Sequence, residues 1–111
     1  MHWKELNTTT QLQTIIEASH RQAVAVYKHS TRCSVSFMAK KTIEYNWDYD
    51  TVDIWLLDLI KYRPLSNEIE QLFSVRHESP QLLLIKDGKV VYHGSHNNID
   101  LHQINQHIEL V

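Results

Sequence analysis

The sequence predicts an α/β domain: a central mixed four-stranded sheet flanked by four helices. Three observations lead there. Short apolar runs suited to strands alternate with longer segments of helical periodicity. The last two strand-like runs are separated only by Asp87-Gly88, a strong hairpin signal. The 111 residues carry 42% hydrophobic and 22% charged side chains, the ordinary balance of one folded domain.

The elements follow in order. Thr10 with Gln13 three residues later has the spacing of a capping box and opens the first helix. Leu12, Ile15 and Ile16 fall on one face of that helix, and Trp3 and Leu6 are expected to pack across its start. Ala23–Lys28, rich in alanine, valine and tyrosine, reads as a buried strand, and 29–32 as a loop. Ser34–Tyr45 reads as a helix, with Val35, Met38, Ala39 and Thr42 at helical spacing. Val52–Leu57 is almost wholly apolar, the pattern of a strand covered on both faces. Pro64 and Ser66 open a helix carrying Leu65, Ile69, Leu72 and Phe73. Gln81–Ile85 and Val90–His93 are the arms of the hairpin, and a last helix starts near Asn98–Asp100 with Leu101, Ile104 and Ile108.

The resulting order is α-β-α-β-α-β-β-α over a single domain, residues 1–111. A β-α-β unit, then a helix and a hairpin, is the thioredoxin-type layout: crossover helices permit the parallel pairs, and the hairpin supplies an antiparallel edge.

Composition narrows the function. Eleven basic residues against thirteen acidic ones give a formal net charge of −2, with no electrostatic footprint for nucleic acid. No apolar run approaches the roughly 18 residues needed to span a bilayer. The N-terminal stretch lacks the basic and apolar regions of a secretory signal. One cysteine excludes an internal disulfide, and with the missing signal it points to a reducing cytoplasm.

That cysteine, Cys33, lies between a strand and a helix. Unpaired backbone N–H groups at a helix N-terminus and the helix dipole favour negative charge there, and so favour a thiolate. Arg32 and His29 add to this if they face the sulfur. Ser36 stands three residues on, where a second cysteine would complete Cys-x-x-Cys. Serine cannot resolve a mixed disulfide, so the chain is limited to one-thiol chemistry. Ser36 either donates a hydrogen bond to the thiolate or serves as a first-turn residue bonded to backbone or water. Ser79-Pro80 precedes a strand at the point where thioredoxin-type domains place a cis proline against the active-site sulfur, leaving the preceding backbone free to pair with an incoming peptide or thiol. Eight histidines raise the question of a metal site. His93 with His96, and His102 with His107, lack a Cys-x-x-Cys partner, and no metal site is expected.

Four segments carry a resemblance over nearly the whole chain: Tyr27 to Ser36 (YKHSTRCSVS), Asp58 to Asn67 (DLIKYRPLSN), His77 to Ile85 (HESPQLLLI) and Gly88 to His96 (GKVVYHGSH). The chain resembles the YtxJ-type proteins of the bacillithiol system, the monothiol bacilliredoxins. One departure is Ser34, where family members often carry proline. The resemblance implies a cytoplasmic thiol-disulfide oxidoreductase that takes bacillithiol from modified client proteins onto Cys33. Bacillithiol is then a co-substrate, with no permanently bound cofactor and no nucleic-acid or membrane partner. Bacillithiol carries a malate, so Lys28, His29, Arg32, Arg76 and His77 are candidates to bind it. Two other functions are open: a non-catalytic thioredoxin-like binding module, and a monothiol glutaredoxin-like cluster carrier. The latter's Cys-Gly-Phe-Ser motif is replaced here by Cys-Ser-Val-Ser, residues 33–36.

Overall fold

The computed structural model describes residues 1–110. In chain order the elements are β1 (Trp3–Glu5), α1 (Thr9–Ser19), β2 (Val24–His29), α2 (Ser34–Asn46), β3 (Asp53–Asp58), α3 (Arg63–Phe73), β4 (Gln81–Lys86), β5 (Lys89–Ser95), a 3-10 turn (His96–Asn98) and α4 (Leu101–Leu110). The strands form one mixed sheet in the order β1-β3-β2-β4-β5. β2 runs parallel to β3 and antiparallel to β4, and β5 closes the hairpin.

The sheet has five strands rather than the expected four. Trp3–Glu5 pairs in parallel with β3, Trp3 beside Ile54 and Glu5 beside Leu56. Three residues are too few for period-2 alternation to show in a sequence. Two links from Trp3 and Lys4 tie this edge down: Trp3 Nε1 donates to Glu44 of α2 at 2.8 Å, and Lys4 pairs with Asp53 at 3.0 Å. A short edge strand bearing an exposed lysine is also a poor template for unwanted pairing.

β2 is buried at all six residues. Its alternation separates two cores. Val24 and Val26 pack with Leu12 and Ile15 of α1, Leu65 and Ile69 of α3, and Leu83 and Ile85 of β4. Ala25 and Tyr27 pack on the opposite face with Ile43 of α2, Ile104 of α4, and Leu82 and Leu84. β3, expected to be covered on both faces, is less so: Asp53 is exposed and Trp55 and Leu56 are half-buried, because only the short β1 lies beyond it.

The first helix begins two residues earlier than Thr10. Thr8 is the N-cap: its Oγ1 accepts the Gln11 N–H at 3.2 Å while Gln11 Oε1 accepts the Thr8 N–H at 3.1 Å. Thr8 to Gln11 and Thr10 to Gln13 have the same spacing, so spacing alone does not choose between them. At the hairpin tip Asp87 and Gly88 both have positive φ, 54° and 74°, as a type I′ turn requires. Ser19 accepts both of their N–H groups, pinning the hairpin to the end of α1. Gly94 is required by close approach, since a Cβ there would meet the Tyr92 hydroxyl at 2.5 Å.

Leu83 is fully buried in the first core. Leu83→Ala is expected to lower unfolding free energy by about 2–5 kcal/mol in urea titration. Thr8→Ala is expected to cost about 1 kcal/mol in the same measurement.

Candidate active site

Cys33 is brought to the surface by the way β2 ends. After His29 the chain turns through 30–32, where the Cys33 N–H donates to the Ser30 carbonyl at 3.2 Å, and α2 then begins. Cys33 is the N-cap, in extended conformation with φ −119° and ψ 122°, and its carbonyl accepts the Phe37 N–H at 3.1 Å. It is a free, half-buried thiol, flanked by exposed Arg32 and Ser34. The expectation of a thiol at a strand-to-helix junction is met in geometry.

Ser36 turns away from the role of thiolate donor. It is fully buried. Its Oγ accepts the Ser30 N–H at 2.9 Å and lies 2.8 Å from His29 Nδ1. The Tyr27 hydroxyl donates to the Ser36 carbonyl at 2.7 Å. Burial pushes the Tyr27 phenol up to about 12; the hydrogen bond with Ser36 pulls it down, and the nearby charge of Cys33 raises it. The sequence signal for Tyr27 is a tyrosine following the aliphatic run Val24–Val26 of a buried strand, since its hydroxyl needs a partner; Ser30 carries no such signal.

Two of the expected anion-binding groups are not at the surface. Lys28 is 0% exposed and His29 6% exposed. β2 is buried on both faces, so side chains from either face of it go into a core. Lys28 enters the α3 side, where its Nζ lies 3.3 Å from both the Ser66 carbonyl and His77 Nδ1. Ser66 Oγ is 3.1 Å from the same nitrogen, and Glu70 accepts the His77 backbone N–H. Burial lowers Lys28 to about 8, with Glu70 opposing and Arg63 assisting. Burial, then the Lys28 and Arg63 charges, lower His77 against the opposing Glu70 and Glu78 carboxylates. His29, on the α2 side, is lowered by burial and Lys40 against the pull of Asp58 and Glu44. Arg32 and Arg76 are exposed.

The Ser79-Pro80 bond is cis. Gln81, the next residue, pairs with Lys28 across β2 and β4, which puts Pro80 at the same end of the sheet as the Cys33 turn. The Pro80 carbonyl accepts the His96 N–H at 2.9 Å. His96 and Ser34 in turn line one apolar cleft of about 340 Å³, with Val35, Met38 and Ile99. Ser79 Oγ and Gln81 Oε1, on either side of Pro80, are buried and unpaired among the described residues. Among those residues no group of three or more His, Cys, Asp or Glu is placed to hold a metal ion, and no helix is long and apolar enough to cross a membrane.

The pKa directions fix the sign of two stability effects. Lys28 is lowered from 10.5 to about 8, so between those values the unfolded chain binds the proton that the folded chain has released. Stability contributed by this group therefore rises with pH from about 8 upward. Above 10 the opposite term enters, because unfolded Tyr27 ionises before folded Tyr27 does. Lys28→Met is expected to be at least as stable as the parent at pH 7, and to lack its rise between pH 8 and 10, in urea unfolding. His29 and His77, both lowered from 6.5, contribute stability that is lost as pH falls below that value. Removing either ring is expected to flatten the acid limb of the stability profile.

Residues 4–104 match the family described as monothiol bacilliredoxin BrxC. Among solved structures, a protein assigned as an oxidoreductase with a thioredoxin fold superposes with a TM-score of 0.81 at 28% identity, covering 93% of this chain and 90% of its own. The thioredoxin of Trypanosoma brucei brucei gives 0.78 at 13% identity, covering 99% and 93%. That of Fasciola hepatica gives 0.70 at 19% identity, covering 96% and 97%. The last two establish likeness of fold alone. With the family match over nearly the full length and the fold in agreement, the chain belongs to the monothiol bacilliredoxins, thioredoxin-fold proteins of thiol redox function.

Proposed function

We propose that this protein removes bacillithiol from cysteines of client proteins in the cytoplasm, with Cys33 as the nucleophile and bacillithiol as co-substrate. The observation that carries the reading is Cys33 as a half-buried free thiol at the N-cap of α2. It is the single cysteine of the chain, so no second thiol competes for a disulfide formed on it.

The exchange balances in two steps. The Cys33 thiolate attacks the bacillithiol sulfur of the client's mixed disulfide. A new S–S bond forms there, the old one breaks, and the client thiolate leaves and takes a proton from solvent. The thiolate of a second bacillithiol then attacks the bacillithiol sulfur held on Cys33. Cys33 leaves as a thiolate, and bacillithiol disulfide is the oxidised product. Cys33 itself undergoes no net change. With serine at position 36, the intermediate waits for that external thiol.

Arg32 and Arg76 are the exposed cations available for the malate of bacillithiol. Lys28 and His29 are withdrawn from that role by burial. His77 is half-buried with Nδ1 turned to Lys28 and Ser66, so it is withdrawn as well. The Ser79 backbone, which precedes the cis Pro80, is the place offered to an incoming polar group.

The test is a bacillithiolated client incubated with bacillithiol and either the protein or Cys33→Ala, with loss of bacillithiol from the client measured by mass spectrometry. The parent is expected to release it, and Cys33→Ala to fall to the uncatalysed rate. With bacillithiol left out, the parent should accumulate as a Cys33–bacillithiol adduct after one turnover. Equal, slow release by both proteins would refute the reading.

A further inference from the structure

The polar groups behind Cys33 form a continuous chain. The His29 Nδ1 to Ser36 Oγ contact is 2.8 Å, and the same Oγ accepts the Ser30 N–H at 2.9 Å. The Ser30 carbonyl accepts the Cys33 N–H at 3.2 Å, and the Cys33 carbonyl accepts the Phe37 N–H at 3.1 Å. Hydrogen bonds on either side of the Ser30 backbone thus connect the imidazole to the backbone of the thiol residue.

Ser36 Oγ accepts the Ser30 N–H and keeps one hydrogen and one further lone pair. Two groups are near: His29 Nδ1 at 2.8 Å and the Tyr27 hydroxyl oxygen at 3.4 Å. The Tyr27 hydrogen is committed to the Ser36 carbonyl. With the ring proton on Nε2, Nδ1 accepts the serine hydrogen; with it on Nδ1, the ring donates to the same oxygen and the serine hydrogen goes to Tyr27, so the 2.8 Å bond forms in either tautomer. A neutral ring suits a side chain that is 6% exposed.

We propose that His29 is a positioning residue for Cys33, acting through Ser36: its Nδ1 orients the Ser36 hydroxyl, which holds the 30–33 turn and thereby the direction of the thiol over the first turn of α2. The proposal rests on Cys33 being the reacting thiol. It gives Ser36 a purpose other than hydrogen bonding to sulfur. In a chain with one thiol, the fourth motif position is used to clamp the turn that presents it. Tyr27 supports the clamp from below by fixing the Ser36 carbonyl and stacking on the His29 ring, centroids 5.9 Å apart. The titratable and charged groups around His29 are Tyr27 on β2, Lys40 and Glu44 on α2, and Asp58 on β3.

Iodoacetamide tests this directly, because Cys33 is the single thiol and its alkylation can be followed by mass against pH. Circular dichroism confirms that each variant is folded at the assay temperature. Ser36→Ala and His29→Leu are each expected to slow alkylation at pH 7 by about tenfold, the scale of one hydrogen bond. His29→Asn, whose amide oxygen offers an acceptor near the Nδ1 position, is expected to recover most of the rate. The double variant His29→Leu/Ser36→Ala should be no slower than the slower single one, because both changes break the same chain.

Parent-like alkylation in Ser36→Ala overturns the proposal, as do multiplying effects in the double variant. A His29→Leu protein that melts earlier but alkylates normally at every pH would make His29 a packing residue only. Should His29→Leu not fold, Ser36→Ala decides the matter, since it leaves the His29 ring packed. Alkylation reports on the thiol without bacillithiol, so the two proposals fail separately. Slowed variants together with no client release by the parent would support the clamp and sink the de-bacillithiolation reading. Normal alkylation in all variants with full release by the parent would do the reverse.

Discussion

Strand β2 is the constraint on which the rest of this structure depends. It is the one strand with a hydrogen-bonded neighbour on each side and six buried residues in a row. A strand in that position cannot leave any backbone polar group unpaired, so its register with β3 and β4 is held along its whole length. Its two faces then become the two cores, and its C-terminal end becomes the point where the chain must turn and begin α2. Cys33 is placed by that turn.

The same strand carries three polar side chains into the interior, and each is met differently. Tyr27 and His29 point to the α2 side and meet Ser36 from the first turn of that helix. Lys28 points to the α3 side and meets Ser66 and His77. Burying an ammonium with a carbonyl and a neutral imidazole, rather than a carboxylate in contact, is costly, and the lowered pKa expresses that cost. Its structural effect is to tie α3 to the segment that leads into Pro80. Thus one side of β2 meets the first turn of the helix that follows the thiol, and the other meets the segment leading to the proline at the same end of the sheet.

These supports lie under a surface with contrasting parts. Arg32 and Arg76 are exposed cations, while the cleft running from Ser34 to Ile99 is apolar. In the proposed exchange a mixed disulfide on Cys33 joins a small anionic thiol to this protein, and a client surface must reach the same sulfur. The exposed cations suit the former by charge.

The sequence legibly carried the chemistry of Cys33. Its place between a strand and a helix follows from local periodicity, and the lack of a second cysteine limits it to one-thiol exchange. The Asp87-Gly88 turn was equally legible, because only a few residue types accept positive φ at both positions. The three-residue β1 was not, since it has no periodicity to read and exists only by pairing with β3. Nor was the true cap of α1, because two Thr-to-Gln spacings were equivalent until the structure chose Thr8.

Lys28, His29 and Ser36 mark the boundary most clearly. As charges and hydroxyls near a thiol in sequence, they read as groups for an anionic ligand or for the sulfur itself. Yet Lys28 also ends the run Ala23–Lys28 that reads as a buried strand, which conflicts with a surface role. Strand alternation sends neighbouring residues to opposite faces, and only the packing of α2 and α3 onto those faces shows what each side chain meets. The place of the thiol was determined locally, by its position at a helix end. What Lys28 and His29 meet was decided by tertiary structure, because their partners lie on other elements, His77 being 49 positions from Lys28 and Ser36 seven from His29.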